Sequence, residues 1–175
     1  MKRININNFF NHKMLFPSGI DIKIYEDENW GICGNFFNED LFCALIEAKR
    51  SSYKKLKYDN IICFEQKIPI KQKIERIEFV GFAEWGSYNE KIILECLTGR
   101  IERDLFFYEW HTFPNKQFEK DFYHGACELK FRISTSLGEK VCMYSFSINL
   151  PKKEFVNSIV LPQNPAIHIF KINVE

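Results

Sequence analysis

Two short segments hold side chains that could do chemistry: Phe82-Ala83-Glu84-Trp85-Gly86-Ser87-Tyr88 and Phe107-Tyr108-Glu109-Trp110-His111-Thr112. Each sets an indole beside a carboxylate in a turn-like stretch. An indole at the rim of a rigid sheet can stack on the apolar face of a pyranose, and Glu84, Tyr88, Tyr108, Glu109 and His111 could then hydrogen-bond its hydroxyls. The alternative is that Trp30, Trp85 and Trp110 pack across the end of a sandwich and cap its core. Glu84 and Glu109 could also be imagined as a glycosidase acid and nucleophile, which requires carboxyls ~5 Å apart for retention or ~6.5–9.5 Å for inversion. Acidic residues in turns are mostly solvated, so a non-catalytic chain is expected, with a glycoside-acting enzyme as the alternative.

Other chemistries find little support. His12, His111, His124 and His168 are scattered singly, with no H-x-H, H-E-x-x-H or Cys/His spacing for zinc. His168, in Ile167-His168-Ile169-Phe170, reads as a strand residue with a satisfied ring nitrogen. A nucleophilic cysteine needs a low-pKa setting beside a base; Cys96 and Cys142 alternate with core residues and look inert, and only Cys33 has a loop-like context. Phosphate-loop, dinucleotide and nucleophile-elbow motifs are missing. No cofactor is expected. The run Lys49-Arg50-Ser51-Ser52-Tyr53-Lys54-Lys55-Leu56-Lys57 could meet phosphates, with Tyr53 stacking on a base, but reads more simply as a solvated connector after a helix.

These residues must be positioned by a chain of 175 residues with 24 basic and 23 acidic side chains. That balance supplies no long-range field for nucleic acid or anionic lipid, so neither is expected as a partner. No apolar run reaches the ~20 residues that a spanning helix needs, and Asn5, Asn7, Asn8, Asn11 and His12 break up any secretory h-region. A cytoplasmic location is expected, with the six cysteines (33, 43, 63, 96, 127 and 142) reduced and mostly buried. The length suits one domain, residues 1–175, and 18 Phe suit the gap of about 10 Å between packed sheets.

Asn38–Lys49 reads as a short helix capped by Asn38, with Leu41, Leu45 and Ala48 on one side. After residue 60 the period becomes two. The alternation predicts strands at Asn60–Glu65, Arg76–Phe82, Lys91–Leu97, Arg100–Phe107, Glu128–Ser134, Lys140–Leu150, Phe155–Leu161 and Ile167–Val174. Thr98-Gly99 predicts a tight hairpin and Gly138 a turn. Pro151, Pro162 and Pro165 fall at strand ends. Many short strands without crossover helices predict an all-β fold, an antiparallel β-sandwich of jelly-roll type with one short helix.

Several stretches carry a family resemblance: Asn8–Lys13, Gly31–Phe37, Glu75–Phe82, Trp85-Gly86, Glu109-Trp110 and, most specifically, Val156-Asn157-Ser158-Ile159-Val160-Leu161-Pro162-Gln163-Asn164-Pro165-Ala166-Ile167-His168-Ile169-Phe170. Together they resemble the galactose-binding-like jelly-roll domains that accompany bacterial glycoside hydrolases. The resemblance implies the fold more than a ligand. The usual Asp-Gly near the first loop is absent, and with it the argument for a calcium site.

The expected function is a carbohydrate-binding-like module whose site lies at one end of the sandwich, in loops 25–37, 83–90 and 108–125. Trp85, Trp110, Glu84, Tyr88, Glu109 and His111 are its candidate ligand-binding residues. The alternative is a protein-interaction or structural accessory domain, in which the aromatic loops meet a protein partner or a second copy in a homo-oligomer.

Overall fold

Alternation of apolar and polar residues after Asn60 does produce strands, and they join one antiparallel sheet. The computed structural model describes residues 1–14, 37, 58–112, 126–134, 138 and 140–175. Within them run β1 (Lys2–Arg3), β2 (Ile61–Phe64), β3 (Lys67–Ala83), β4 (Tyr88–Cys96), β5 (Gly99–Phe107), β6 (Ala126–Ser134), β7 (Lys140–Val160) and β8 (Gln163–Val174). A 3-10 turn, Asn7–Phe9, precedes β2. The expected helix over 38–49, Trp30, Cys33, Cys43, His124 and the basic run over 49–57 lie outside the described residues.

The eight strands are ordered β1-β8-β3-β7-β4-β5, with β2 also on β8 and β6 also on β7. Two long strands organise the rest. β3 and β7 pair from Lys67↔Val160 to Gly81↔Tyr144. The far edge of β7 is shared, β4 taking Val156–Val160 and β6 taking Lys140–Ser147. β8 lies along the second half of β3, from Ile77↔Val174 to Ala83↔Ile167. The fold is all-β, antiparallel and sandwich-like, in keeping with the class expected from the sequence.

Burial follows this arrangement. At the start of β3 exposed Lys67 and Pro69 alternate with buried Ile68 and Ile70, as in a strand wet on one face. From Ile77 to Ala83, from Val141 to Ile148 and from Ala166 to Val174 every residue is buried, so the central strands are covered on both faces. Phe79, Phe82, Phe107, Phe146 and Phe170 lie fully inside. Each such ring stabilises the fold by roughly 1.5–3 kcal/mol relative to exposure.

The second covered face is partly polar. Glu78 is buried there, opposite Ser147 and Asn173. It accepts hydrogen bonds from the Ser145 hydroxyl and, at 2.8 Å, from Asn173 Nδ2. A buried carboxylate persists only with donors of this kind.

Three irregularities separate the structure from the sequence reading. Residues 67–75, left out of the expected strands, form the first half of β3. Their register with β7 breaks after Pro69, and Lys71 sits at φ 53°. β7 is one strand where two were expected. Between Asn149↔Arg76 and Glu154↔Ile74 it carries extra residues, among them exposed Pro151, so the missing proline N–H falls where the ladder is already interrupted. The β4–β5 hairpin closes with Cys96↔Gly99, making Leu97-Thr98 the two-residue loop, and Gly99 takes the positive φ of 133°.

Candidate functional site at the Trp85 turn

The two Trp-bearing segments meet at one end of the sheet. Residues 84–87 connect β3 to β4, and residues 108–112 continue from β5. Ala83 N–H donates to the Tyr108 carbonyl at 2.8 Å, and Trp110 N–H donates to the Ala83 carbonyl at 2.9 Å. The Glu109 N–H donates to Ser87 Oγ at 3.0 Å. Glu84 N–H donates to the Ala166 carbonyl at 2.8 Å, and Cys142 N–H to the Trp110 carbonyl at 2.6 Å. The Tyr144 hydroxyl donates to the Thr112 carbonyl. Both turns are therefore tied into β7 and β8.

The indoles have opposite fates. Trp110 is 4% exposed and stacks on Phe82, with centroids 5.3 Å apart and planes at 20°. Phe37 packs against both rings. Trp85 is 72% exposed. Among the described residues it is also one of three non-glycine positions with positive φ, at 59°. An L side chain in that region costs about 1–2 kcal/mol. Gly86 follows at φ 139°, and the Tyr88 hydroxyl lies beneath it, 3.9 Å from where a Cβ would stand.

The polar candidates also separate. Glu109 is half-buried. Its carboxylate lies 3.3 Å from His111 Nδ1 and accepts from Thr112 Oγ1 at 3.3 Å. The His111 side chain is 45% exposed. Tyr88 is half-buried against the core. Tyr108 is buried, its ring 4.8 Å from the exposed ring of Phe106. Glu84 points the other way: it is 6% exposed, with Oε1 3.6 Å from His168 Nε2.

Behind Glu84 lies a buried polar network that no sequence spacing announces. His168 is fully buried and stacks on Phe82 at 4.9 Å, so Trp110, Phe82 and His168 form one column of rings. Its Nδ1 lies 3.0 Å from Asn60 Oδ1. Asn60 Nδ2 faces the His12 carbonyl at 3.1 Å, His12 Nδ1 at 3.2 Å and Asp59 Oδ1 at 3.1 Å. Asp59 also accepts from the Met14 N–H at 2.8 Å and pairs with Lys13 at 3.0 Å. Since the His12 carbonyl and the Asp59 carboxylate can only accept, the Asn60 amide is oriented with nitrogen towards them and oxygen towards His168. His168 Nδ1 therefore carries a proton. Its Nε2 has no hydrogen-bond partner. The expectation of a satisfied ring nitrogen at His168 holds for Nδ1 alone.

The thiols are quiet. Cys63, Cys96 and Cys142 are free and buried. Burial, with Glu90 adding to it, pushes the Cys63 thiol far up, and burial with Glu154 raises Cys96. Among the described residues, no group of three or more His, Cys, Asp or Glu side chains could hold a metal ion, and no helix is long and apolar enough to cross a membrane.

No protein-family model matches the chain, and no curated protein matches it.

Proposed function

We propose that this chain is a non-catalytic carbohydrate-binding-like module with the Trp85 turn as its platform. The finer description as a galactose-binding-like jelly roll belongs to the same proposal and is supported by the sandwich-like architecture and by the resemblance of Val156–Phe170. One observation carries the reading: an indole 72% exposed is held in a backbone conformation that disfavours it. Strain kept at an exposed position points to use rather than to packing. The indole offers a stacking face, and the half-buried Tyr88 and Glu109 and the exposed His111 nearby supply hydroxyl partners. Trp110 and Glu84 act from beneath, as supports of the turn.

Affinity is expected to be modest, because sugars exchange water for equivalent polar contacts. Calorimetry against a panel of mono- and oligosaccharides tests the proposal, with Trp85→Ala as the partner measurement. Heat that vanishes in the variant is expected. No heat with any sugar, on protein shown by circular dichroism to be folded, overturns it.

The second reading, a protein-interaction domain or homo-oligomer, draws on the same exposed indole, since Trp is a frequent anchor of protein interfaces. Sedimentation of wild type and Trp85→Ala separates the two: association that the variant abolishes favours this reading over the sugar.

A further inference from the structure

We propose that His168 and Glu84 form a pH-sensitive latch on the turn that carries Trp85, and so regulate the binding platform described above. Its biological meaning rests on that platform, but the latch itself is read without any ligand.

The geometry is specific. Asn60 fixes the His168 ring with its proton on Nδ1. The neutral imidazole therefore presents its Nε2 lone pair to Glu84 Oε1, 3.6 Å away, acceptor facing acceptor. That gap exceeds a direct N–H···O bond and is too short for a water in line between the atoms. One added proton, on Nε2 or on the carboxyl, turns the contact into donor and acceptor. The ring cannot satisfy Nε2 by switching tautomer, because Nδ1–H is committed to Asn60. Both groups are at least nine-tenths buried, and the ring nitrogen has no other partner to turn to.

Glu84 is the first residue of the turn, directly before the strained Trp85. A repelled Glu84 therefore acts on the backbone at the point that holds the indole. Among the described residues, three segments bring charged or titratable groups towards the pair. From the N-terminal segment come His12, whose ring stands edge-on to His168 at 5.0 Å, and Lys13; from the approach to β2 comes Asp59. Lys13 and Asp59 pair with each other, and Asn60 stands between them and His168. His111 and Glu109 flank the turn on its outer side. Among the described residues, no other charged group forms an ion pair with Glu84 or His168.

The sign follows: the latched turn holds one proton more than the released turn, so release increases with pH. A one-proton linkage changes the ratio of released to latched forms by up to about tenfold per pH unit.

The experiment is acrylamide quenching of the Trp85 emission, obtained by subtracting a Trp85→Phe variant, from about pH 5 to about pH 9, across the range in which imidazoles change charge. No sugar is present. Quenching that rises with pH is expected in wild type and in His111→Asn, and a flat profile in Glu84→Gln, whose neutral amide offers Nε2 a donor when it is bare and an acceptor when it is protonated. The ¹⁵N signal of the wild-type His168 ring must change over the same range, since a proton on either group alters the hydrogen bonding at Nε2. Flat wild-type quenching, an unchanged slope in Glu84→Gln, or a slope lost in His111→Asn overturns the latch. Should Glu84→Gln not fold, wild-type ¹⁵N and quenching midpoints that disagree overturn it equally. Sugar calorimetry at one pH fails or succeeds independently of this result.

Discussion

Gly81 is the point at which the strand framework and the buried network depend on the same atoms, and Gly81→Ala tests both. Gly81 lies on β3 where pairing with β8 slips, from Val80↔Lys171 to Gly81↔Ile169. A Cβ there would stand 2.0 Å from the His168 carbonyl oxygen, 3.1 Å from its carbon and 3.4 Å from Ile169 Cα. Real Cβ atoms essentially never come within 3.0 Å of a neighbour, so the backbones must separate by at least 1.0 Å, the difference between 3.0 and 2.0. The obstacle is main chain, and β8 cannot simply retreat: His168 also pairs with Ile62 of β2 on its other side. Overpacking a close-fitted core usually costs about 1–3 kcal/mol, and a forced backbone shift in the central sheet belongs at the upper end or beyond. The expected cost is about 3 kcal/mol or more. For a chain of this length that lowers Tm by roughly 6–12 °C, out of a total stability of about 5–15 kcal/mol. Urea unfolding followed by circular dichroism measures it. Gly138→Ala is the control: φ is 81° with nothing within 4 Å, so only the conformational penalty of about 1–2 kcal/mol applies. A Gly81→Ala protein within about 1 kcal/mol of wild type, or one less damaged than Gly138→Ala, would refute this reasoning.

Trp85→Asn should raise stability by about 0.5–1 kcal/mol in urea unfolding, because Asn tolerates the left-handed region and little packing is lost; a destabilised variant would make Trp85 a structural residue. Trp110→Ala should cost about 3–5 kcal/mol by the same assay, and equal effects at the two tryptophans would contradict their different burial. Asn60→Ala strips Asp59, His12 and His168 of a shared buried partner and should cost about 3 kcal/mol; the isosteric Asn60→Asp should be no milder at neutral pH, since an oxygen would then face Asp59 and the His12 carbonyl. Cys63 and Cys96 should resist a disulfide reagent until the protein unfolds. Their folded-state pKa values are raised, so the unfolded chain gives up thiol protons first as pH climbs past the ordinary value of 9.0. The unfolded state then binds fewer protons, and stability falls above about pH 9; Cys63→Ser with an unchanged alkaline slope would sink this assignment.

Local alternation made most strands legible. Ile92, Leu94 and Cys96, and Leu105 with Phe107, are buried at every second position, and Gly138 takes a positive φ between β6 and β7. The pattern failed where the sheet itself is irregular. Ile68, Ile70 and Ile74 are buried on one phase and Ile77 and Phe79 on the other, because the register of β3 with β7 slips after Pro69 and again between Ile74 and Arg76, and β7 passes through Pro151 at an interruption that sequence cannot reveal. Strands covered on both faces hid a second kind of information: Glu78, Ser145, Ser147 and Lys171 have the look of solvent positions and are all buried. The network at Glu84 was invisible for a different reason. Asn60 reaches His12 across 48 residues and His168 across 108, so no local spacing encodes it; the His12↔Asn60 bridge and the pairing of β2 with β8 bring these residues together.

The meeting of the Trp turns was legible, but the roles of the two indoles were not, and the reason is backbone geometry. Glu84-Trp85 and Glu109-Trp110 have the same residue types in the same order. Glu109 forms a parallel bridge with Ala83, and Trp110 is gripped through its N–H by Ala83 and through its carbonyl by Cys142, which delivers the ring onto Phe82. At the other turn, Glu84 is pulled inward by Ala166 and faces His168, and the next residue adopts a left-handed conformation that throws its ring outward. One indole is thus fully explained by packing. The other leaves 72% of its surface in water and strains the chain, so the fold alone provides no reason for a tryptophan at position 85. Asparagine or glycine would close the same turn with less strain. What the fold leaves unexplained at this position is the stacking face itself, and that is why the binding proposal rests on Trp85 and not on the pair.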